Sequence, residues 1–206
     1  MKPGEIEALS FKIIDREAGS HGFSAEQWTV VRRLIHTSAD FEYRDTIRIH
    51  PEAIGAGVAA VRAGKSIITD TNMARVGIRQ SDLEPFGVTV KCYMSDSAVQ
   101  QSAEAAGTTR AHAAVDAGLA EMDGGIYVIG NAPTALLHLI ERVKEKKARP
   151  ALIIGLPVGF VNAAESKAEL LTLDRPPYIT NVGRKGGSNV AAAAVNAIVK
   201  LAKNIG

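Results

Sequence analysis

With 206 residues the chain is long enough for one domain with a substantial core and too short for two ordinary ones, so residues 1–206 are expected to form a single domain. A formal charge of +2 and an aromatic content of 5% speak against a general nucleic-acid surface and against base-stacking platforms. A single cysteine excludes an intrachain disulfide, no basic segment followed by an apolar stretch opens the chain, and no window approaches the ~18 apolar residues needed to cross a bilayer, so a cytoplasmic protein without membrane or nucleic-acid partners is expected.

Helices come first along the chain. Gly4 to Ala18 has helical periodicity, and Ser10 falls between Ile6, Ile13 and Ile14 in its apolar arc. A small residue there permits close packing with its hydroxyl bonded back to a carbonyl, or it contacts a ligand. Ser24 to Ser38 is the most informative segment. Ser24 with Gln27 has the capping-box spacing, and Trp28, Val31, Leu34 and Ile35 fall on one side to be buried. Thr29, Arg32, Arg33 and His36 make up the opposite arc. An imidazole between two guanidinium groups is expected to resist protonation while the site is empty, and to gain proton affinity when an anionic ligand neutralises the arginines. A substrate-gated general acid would need this arrangement; a solvated helix face with a bystander histidine would also produce it. A third helix is predicted over Pro51 to Ala63, with proline at its start and Gly64 just past its end.

From Lys65 onward short β-rich runs alternate with helical stretches. Strands are predicted at Ser66 to Thr69, Val88 to Met94, Gly125 to Ile129, Ala151 to Leu156 and Tyr178 to Asn181, with Cys92 reading as a buried strand residue. The intervening helices are Asp96 to Gly118, with Gly107 as the point where it would break, Pro133 to Lys147, and Glu165 to Leu171. An alanine-rich helix with Ser188 as N-cap closes the series at Lys203. This pattern predicts an α/β fold: a three-layer αβα arrangement, a five-stranded parallel sheet of flavodoxin-like order 2-1-3-4-5, and helices ahead of it.

Ligands bind such sheets beyond the carboxyl ends of the strands. The segments expected there are Asp70-Thr71-Asn72-Met73, Asn131-Ala132-Pro133, Pro157-Val158-Gly159 and Gly183-Arg184-Lys185-Gly186-Gly187-Ser188. The last joins glycines, two cations and a helix start, which makes it a candidate anion cradle with Lys185 and Gly186 as substrate contacts; a plain turn would look the same. It is no Walker A loop, and Gly64-Lys65-Ser66 leads into a strand, which excludes that motif there too. Gly155-Leu156-Pro157-Val158-Gly159-Phe160 is not a dinucleotide fingerprint, because Pro157 would deform the turn. No His-x-x-x-His pair with a neighbouring carboxylate occurs and Cys92 has no ligand partner nearby, so no metal site is expected. No Gly-x-Ser-x-Gly elbow marks a serine nucleophile. Thr108 and Thr109 are natural N-caps that place Arg110 in a first helical turn, where a cation calls for an anionic partner.

Ser10-Phe11, Arg32-Arg33-Leu34-Ile35-His36, Asp70-Thr71-Asn72-Met73, Gly155 to Phe160 and Gly183 to Ser188 stand in the order and approximate spacing of the precorrin-8X methylmutases, a family the chain resembles over nearly its whole length. The resemblance implies a flavodoxin-like sheet, a homodimer, and an isomerase of cobalamin biosynthesis acting on a tetrapyrrole, precorrin-8X or cobalt-precorrin-8. That enzyme would move a methyl group between adjacent carbons of one ring to give hydrogenobyrinate or cobyrinate, without a methyl donor or cofactor. It places the catalytic histidine on His36 and substrate contacts on Ser10 and Arg32, with Arg33 adjacent and Arg110 as a further position. A substrate rich in carboxylates suits several separate cations. A non-catalytic corrinoid carrier would need the same pocket. A phosphoryl-accepting receiver domain would share the winding, but here Asp70 stands alone.

Overall fold

Isoleucine, valine and leucine let the central strands bury both faces, and the chain gathers its strands into one sheet. The computed structural model describes residues 2–204. Its strands are β1 (Ile47–Ile49), β2 (Ile67–Thr69), β3 (Val90–Lys91), β4 (Ile126–Ile129), β5 (Leu152–Gly155) and β6 (Tyr178–Asn181). The helices are α1 (Pro3–Ala18), α2 (Ala25–Ser38), α3 (Glu42–Thr46), α4 (Ala53–Arg62), α5 (Asn72–Gly77), α6 (Gln80–Leu83), α7 (Ser97–Ala105), α8 (Arg110–Gly118), α9 (Pro133–Lys144), α10 (Ala163–Leu170) and α11 (Ser188–Asn204).

The expectation of a five-stranded, all-parallel flavodoxin-like sheet needs correction. The sheet has six strands in the order β1-β6-β5-β4-β2-β3 and is mixed, because β1 pairs antiparallel with β6, Ile47 opposite Asn181 and Ile49 opposite Ile179. The other five are mutually parallel, and their spatial order reverses at β2. Ile47-Arg48-Ile49 is too short to show a hydrophobic period. Its place on the sheet edge is secured by main-chain bonds, from Val182 N–H to Thr46 carbonyl at 2.9 Å and from His50 N–H to Tyr178 carbonyl at 2.9 Å.

Two cores flank the sheet. Ile67, Ile126, Val128, Leu152 and Ile154 face α2, α4 and α11, while Ile68, Tyr127, Ile129 and Ile153 face α8, α9 and α10. Small residues along α11 let its neighbours close in: a Cβ at Gly77 would stand 3.0 Å from that of Ala192, and one at Gly57 would reach Ile198 at 3.0 Å. The predicted run from Asp96 to Gly118 is two helices. Gly107 adopts φ 61° between them, and Thr109 caps α8 by accepting from His112 N–H at 3.2 Å. The run Val88 to Met94 pairs only at Val90–Lys91, so Cys92 lies past the strand, half-buried instead of buried.

Asp70, at the carboxyl end of β2, is 3% exposed and accepts from the N–H groups of Gly130 at 2.9 Å, Asn131 at 2.8 Å and Ala132 at 2.8 Å. Burial pushes its carboxyl up, and the three donors pull it back. The carboxylate thereby ties the β4–α9 turn to β2. Replacing Asp70 with alanine leaves three N–H groups without this acceptor, so Asp70→Ala is expected to lower stability by about 3 kcal/mol. A urea titration checks this, with the midpoint falling at an unchanged slope.

Candidate functional site

Helix α2 begins as its sequence dictates. Ser24 Oγ accepts from Gln27 N–H at 3.2 Å, and the Gln27 side chain accepts from Ser24 N–H at 3.0 Å. Trp28, Val31, Leu34 and Ile35 are buried as predicted, with Val30 beside them. The polar arc meets α1. Asp15 accepts from Trp28 Nε1 and from Arg32, each at 2.8 Å, and Glu7 accepts from Arg33 at 2.6 Å. The guanidinium carbons of Arg32 and Arg33 lie 4.5 and 4.8 Å from the Phe11 ring centroid, and the Lys200 ammonium lies 5.8 Å away. The His36 imidazole meets the same ring edge-on at 5.2 Å. Phe11 is therefore the hub around which the cations and the imidazole are arranged. This corrects one premise of the sequence reading: both arginines flanking His36 already have carboxylate partners. The bond from Arg33 is the main reason the Glu7 carboxyl sits below the ordinary glutamate range.

Beside this hub lies a cleft of about 380 Å³. Glu7, Arg33, His36 and Thr37 form one wall, and Arg79 and α11 residues Asn189 and Asn196 form the other. Ala192 and Ala193 leave room on the floor. Asn196 donates to the Gly77 carbonyl at 2.9 Å and accepts from Arg79 N–H at 3.0 Å, which fixes the chain leaving α5. The sequence reading did not pick out Asn189, Asn196 or Arg79. The seven-residue spacing of the two asparagines, which places both near one side of a helix, was the available clue.

Of the candidate site residues, the structure brings Arg33 and His36 together in the cleft. Arg32 does not line it; its guanidinium turns to Asp15, and its Nε is buried without a hydrogen-bond partner among the described residues. Ser10 Oγ donates to the Ile6 carbonyl at 2.9 Å, the packing role considered for it. The apolar arc around Ser10 is only partly buried, because α1 docks through Phe11, Ile14 and Ala18 while Ile6, Leu9 and Ile13 stay exposed. Arg110 is the first residue of α8, exposed and without a side-chain partner among the described residues. Lys185 pairs with Asp40 at 2.6 Å and Glu42 at 2.9 Å, which ties the glycine-rich loop to the chain following α2. Gly186 presses against the carbonyl oxygens of Leu156 and Pro157, where any Cβ would overlap them.

That loop is also fastened from below. Lys167 on α10 is fully buried and donates to the Lys185 carbonyl at 2.6 Å and to Asn181 Oδ1 at 3.2 Å. Thr71 and Ser188 share a hydroxyl bond at 2.8 Å, and Gly187 N–H donates to the Leu156 carbonyl at 2.9 Å. Next to the loop Phe160 is 84% exposed, with the Arg184 guanidinium 5.6 Å from its ring. Across the same edge Met73 and Val76 are 71% and 74% exposed.

Burial pushes the Lys167 ammonium down from its ordinary 10.5 to about 8. Between those values the unfolded chain binds more protons than the folded one, so Lys167 makes stability rise with pH across that window. Comparing the native chain with Lys167→Met by urea unfolding at pH 7.5, 9 and 10 is expected to show this rise in the native chain and its loss in the variant.

The chain is similar to known proteins along almost its entire length. A family model described as precorrin-8X methylmutase matches residues 5–201. A cobalt-precorrin-8 methylmutase from Priestia megaterium is 51% identical over 202 residues, covering 98% of this chain and 89% of that protein. One from Leptospira interrogans is 42% identical over 98% of this chain and 94% of that protein. A crystal structure of a precorrin-8X methylmutase from Thermus thermophilus superposes with a TM-score of 0.89 at 45% identity, covering 96% of this chain and 95% of that one.

Proposed function

The chain belongs to the precorrin-8X methylmutase family, and from that premise we propose how its own residues carry out the isomerisation. Its activity is that of an isomerase of cobalamin biosynthesis, with precorrin-8X or cobalt-precorrin-8 as substrate. In the proposed reaction one methyl group leaves a ring carbon as its bond to the adjacent carbon forms, so no atom is gained or lost and no donor is consumed. The observation that carries the residue assignment is the cleft in which His36 and Arg33 stand side by side. His36 lends a proton to a macrocycle nitrogen, which increases the electron demand that draws the methyl group across, and recovers the proton when the shift is complete. Restraint of the macrocycle supplies much of the remaining acceleration.

Arg33 is the proposed carboxylate anchor in the cleft, with Arg110 and Lys185 as outlying cations for other carboxylates and Gly186 as part of the backbone wall. Arg32 acts at one remove, holding α1 against α2 through Asp15, while Ser10 bonds within α1. A whole corrin exceeds a 380 Å³ cleft, so the remainder of its apolar plane is proposed to lie over the exposed side chains of the sheet's carboxyl edge, Met73, Val76 and Phe160. The exposed stripe Ile6, Leu9 and Ile13 on α1 supports a homodimer in which a second copy covers it. Residues 1–206 then act as one domain. A receiver-type reading has little support, since both Asp70 oxygens already accept backbone N–H groups.

Three outcomes are expected. Purified protein incubated with precorrin-8X or its cobalt form develops the product chromophore, and His36→Ala abolishes this while retaining tight product binding; unchanged turnover by that variant favours a role other than proton donor for His36, and pigment binding without conversion by the native chain favours the carrier reading. Arg33→Ala weakens substrate binding by about 1.5–3 kcal/mol, whereas Arg32→Ala chiefly lowers stability; fluorescence titration and thermal melting separate the two. Leu9→Asp shifts the native dimer toward monomer in sedimentation velocity.

A further inference from the structure

On the far side of the sheet from the cleft, α8 and α9 bring three side chains together that lie apart in sequence. His112 and Asp116 are four residues apart and share one face of α8, and His138 faces them from α9. Their ligand atoms all lie within 4.8 Å of one another. The two imidazoles stack with centroids 3.3 Å apart.

The surroundings of His138 call for a cation. Its side chain is 1% exposed, yet it meets a carboxylate at each ring nitrogen: Glu141 Oε2 is 3.2 Å from Nδ1 and Asp116 Oδ1 is 2.9 Å from Nε2. A neutral imidazole carries one N–H and satisfies one of these. If Nδ1–H donates to Glu141, the Nε2 lone pair faces a carboxylate oxygen, an arrangement that either a second proton or a metal ion between them relieves. A carboxylate that orients a histidine from its far nitrogen is also the usual support for a histidine bound to metal. The adjoining cleft of about 660 Å³ is lined by Glu141, Glu145, Glu165 and Glu169 beside Lys144, with Glu145 paired to Arg142 and Lys147 and Glu169 paired to Lys144.

We propose that His112, Asp116 and His138 bind one divalent transition-metal ion of the zinc and cobalt class, at a site separate from any metal carried in the substrate. Two imidazoles and one carboxylate suit these ions and not magnesium or calcium. In a tetrahedral site the ligand atoms stand about 3.3 Å apart, so side-chain rotation on two packed helices closes the observed spread. Arg142, which donates to Asp116 Oδ1 at 2.9 Å, moves to the second carboxylate oxygen when the ion takes Oδ1. The expectation from sequence that no metal site exists followed from looking for ligands near one another along the chain; here the third comes from a neighbouring helix.

The test uses untagged full-length protein stripped with chelator and titrated with Zn²⁺ by calorimetry, and with Co²⁺ by visible absorption. One equivalent per chain is expected, with the d–d bands of a four- or five-coordinate Co²⁺ centre and a rise in melting temperature with Zn²⁺. His112→Ala, at a half-buried position, is expected to remain folded and to weaken binding on the order of 100-fold, and Asp116→Asn by a similar factor. Three results overturn the proposal: no binding at micromolar Zn²⁺, binding equal in His112→Ala, or ¹⁵N spectra showing both His138 nitrogens protonated in the presence of excess Zn²⁺.

Discussion

How closely the neighbouring helices approach α11 sets the position of every side chain in the cleft. Ala191, Ala192, Ala194 and Ala197 are buried along that helix, and α2, α4 and α5 all pack on it. Leu34 and Ile35 of α2 press into the same core, so the helix bearing His36 is held by apolar contact on one side and by α1 on its polar arc. The alanines act twice. They let the helices come near, and at Ala192 and Ala193 they leave the hollow that the imidazole faces.

The electrostatics of the hollow are those of an internally matched set. Glu7 and Asp15 on α1 engage Arg33 and Arg32, and Phe11 fills the space among the charges. An incoming carboxylate therefore does not meet bare cations; it competes with residues of the first helix for them. In the proposed site, substrate entry and the seating of α1 are coupled, since a ligand oxygen that takes Arg33 displaces Glu7.

Much of this was legible in the linear chain, and the reasons differ by element. The central parallel strands declare themselves because both faces are buried and the residues are largely β-branched; α2 does so because its cap and its two arcs agree. β1 has three residues on an edge and is defined by bonds to β6, which no local pattern reveals. Asp96 to Gly118 carries helix-favouring alanine throughout, and the division into two helices is legible where Gly107 and the Thr109 cap interrupt it. Arg33 and His36 were found from their helix. That Arg32 turns aside to Asp15, and that His112 comes to rest against His138, depend on which helices pack together, and local sequence does not carry that information.

Lys167 beneath the glycine-rich loop carries a last consequence. Its nitrogen has two acceptors, the Lys185 carbonyl and Asn181 Oδ1. A neutral amine has two hydrogens to offer them, so losing the third leaves both bonds intact. The fastening is therefore indifferent to ionisation: acidity changes how costly the folded chain is to maintain, while the contour of the glycine-rich loop stays the same.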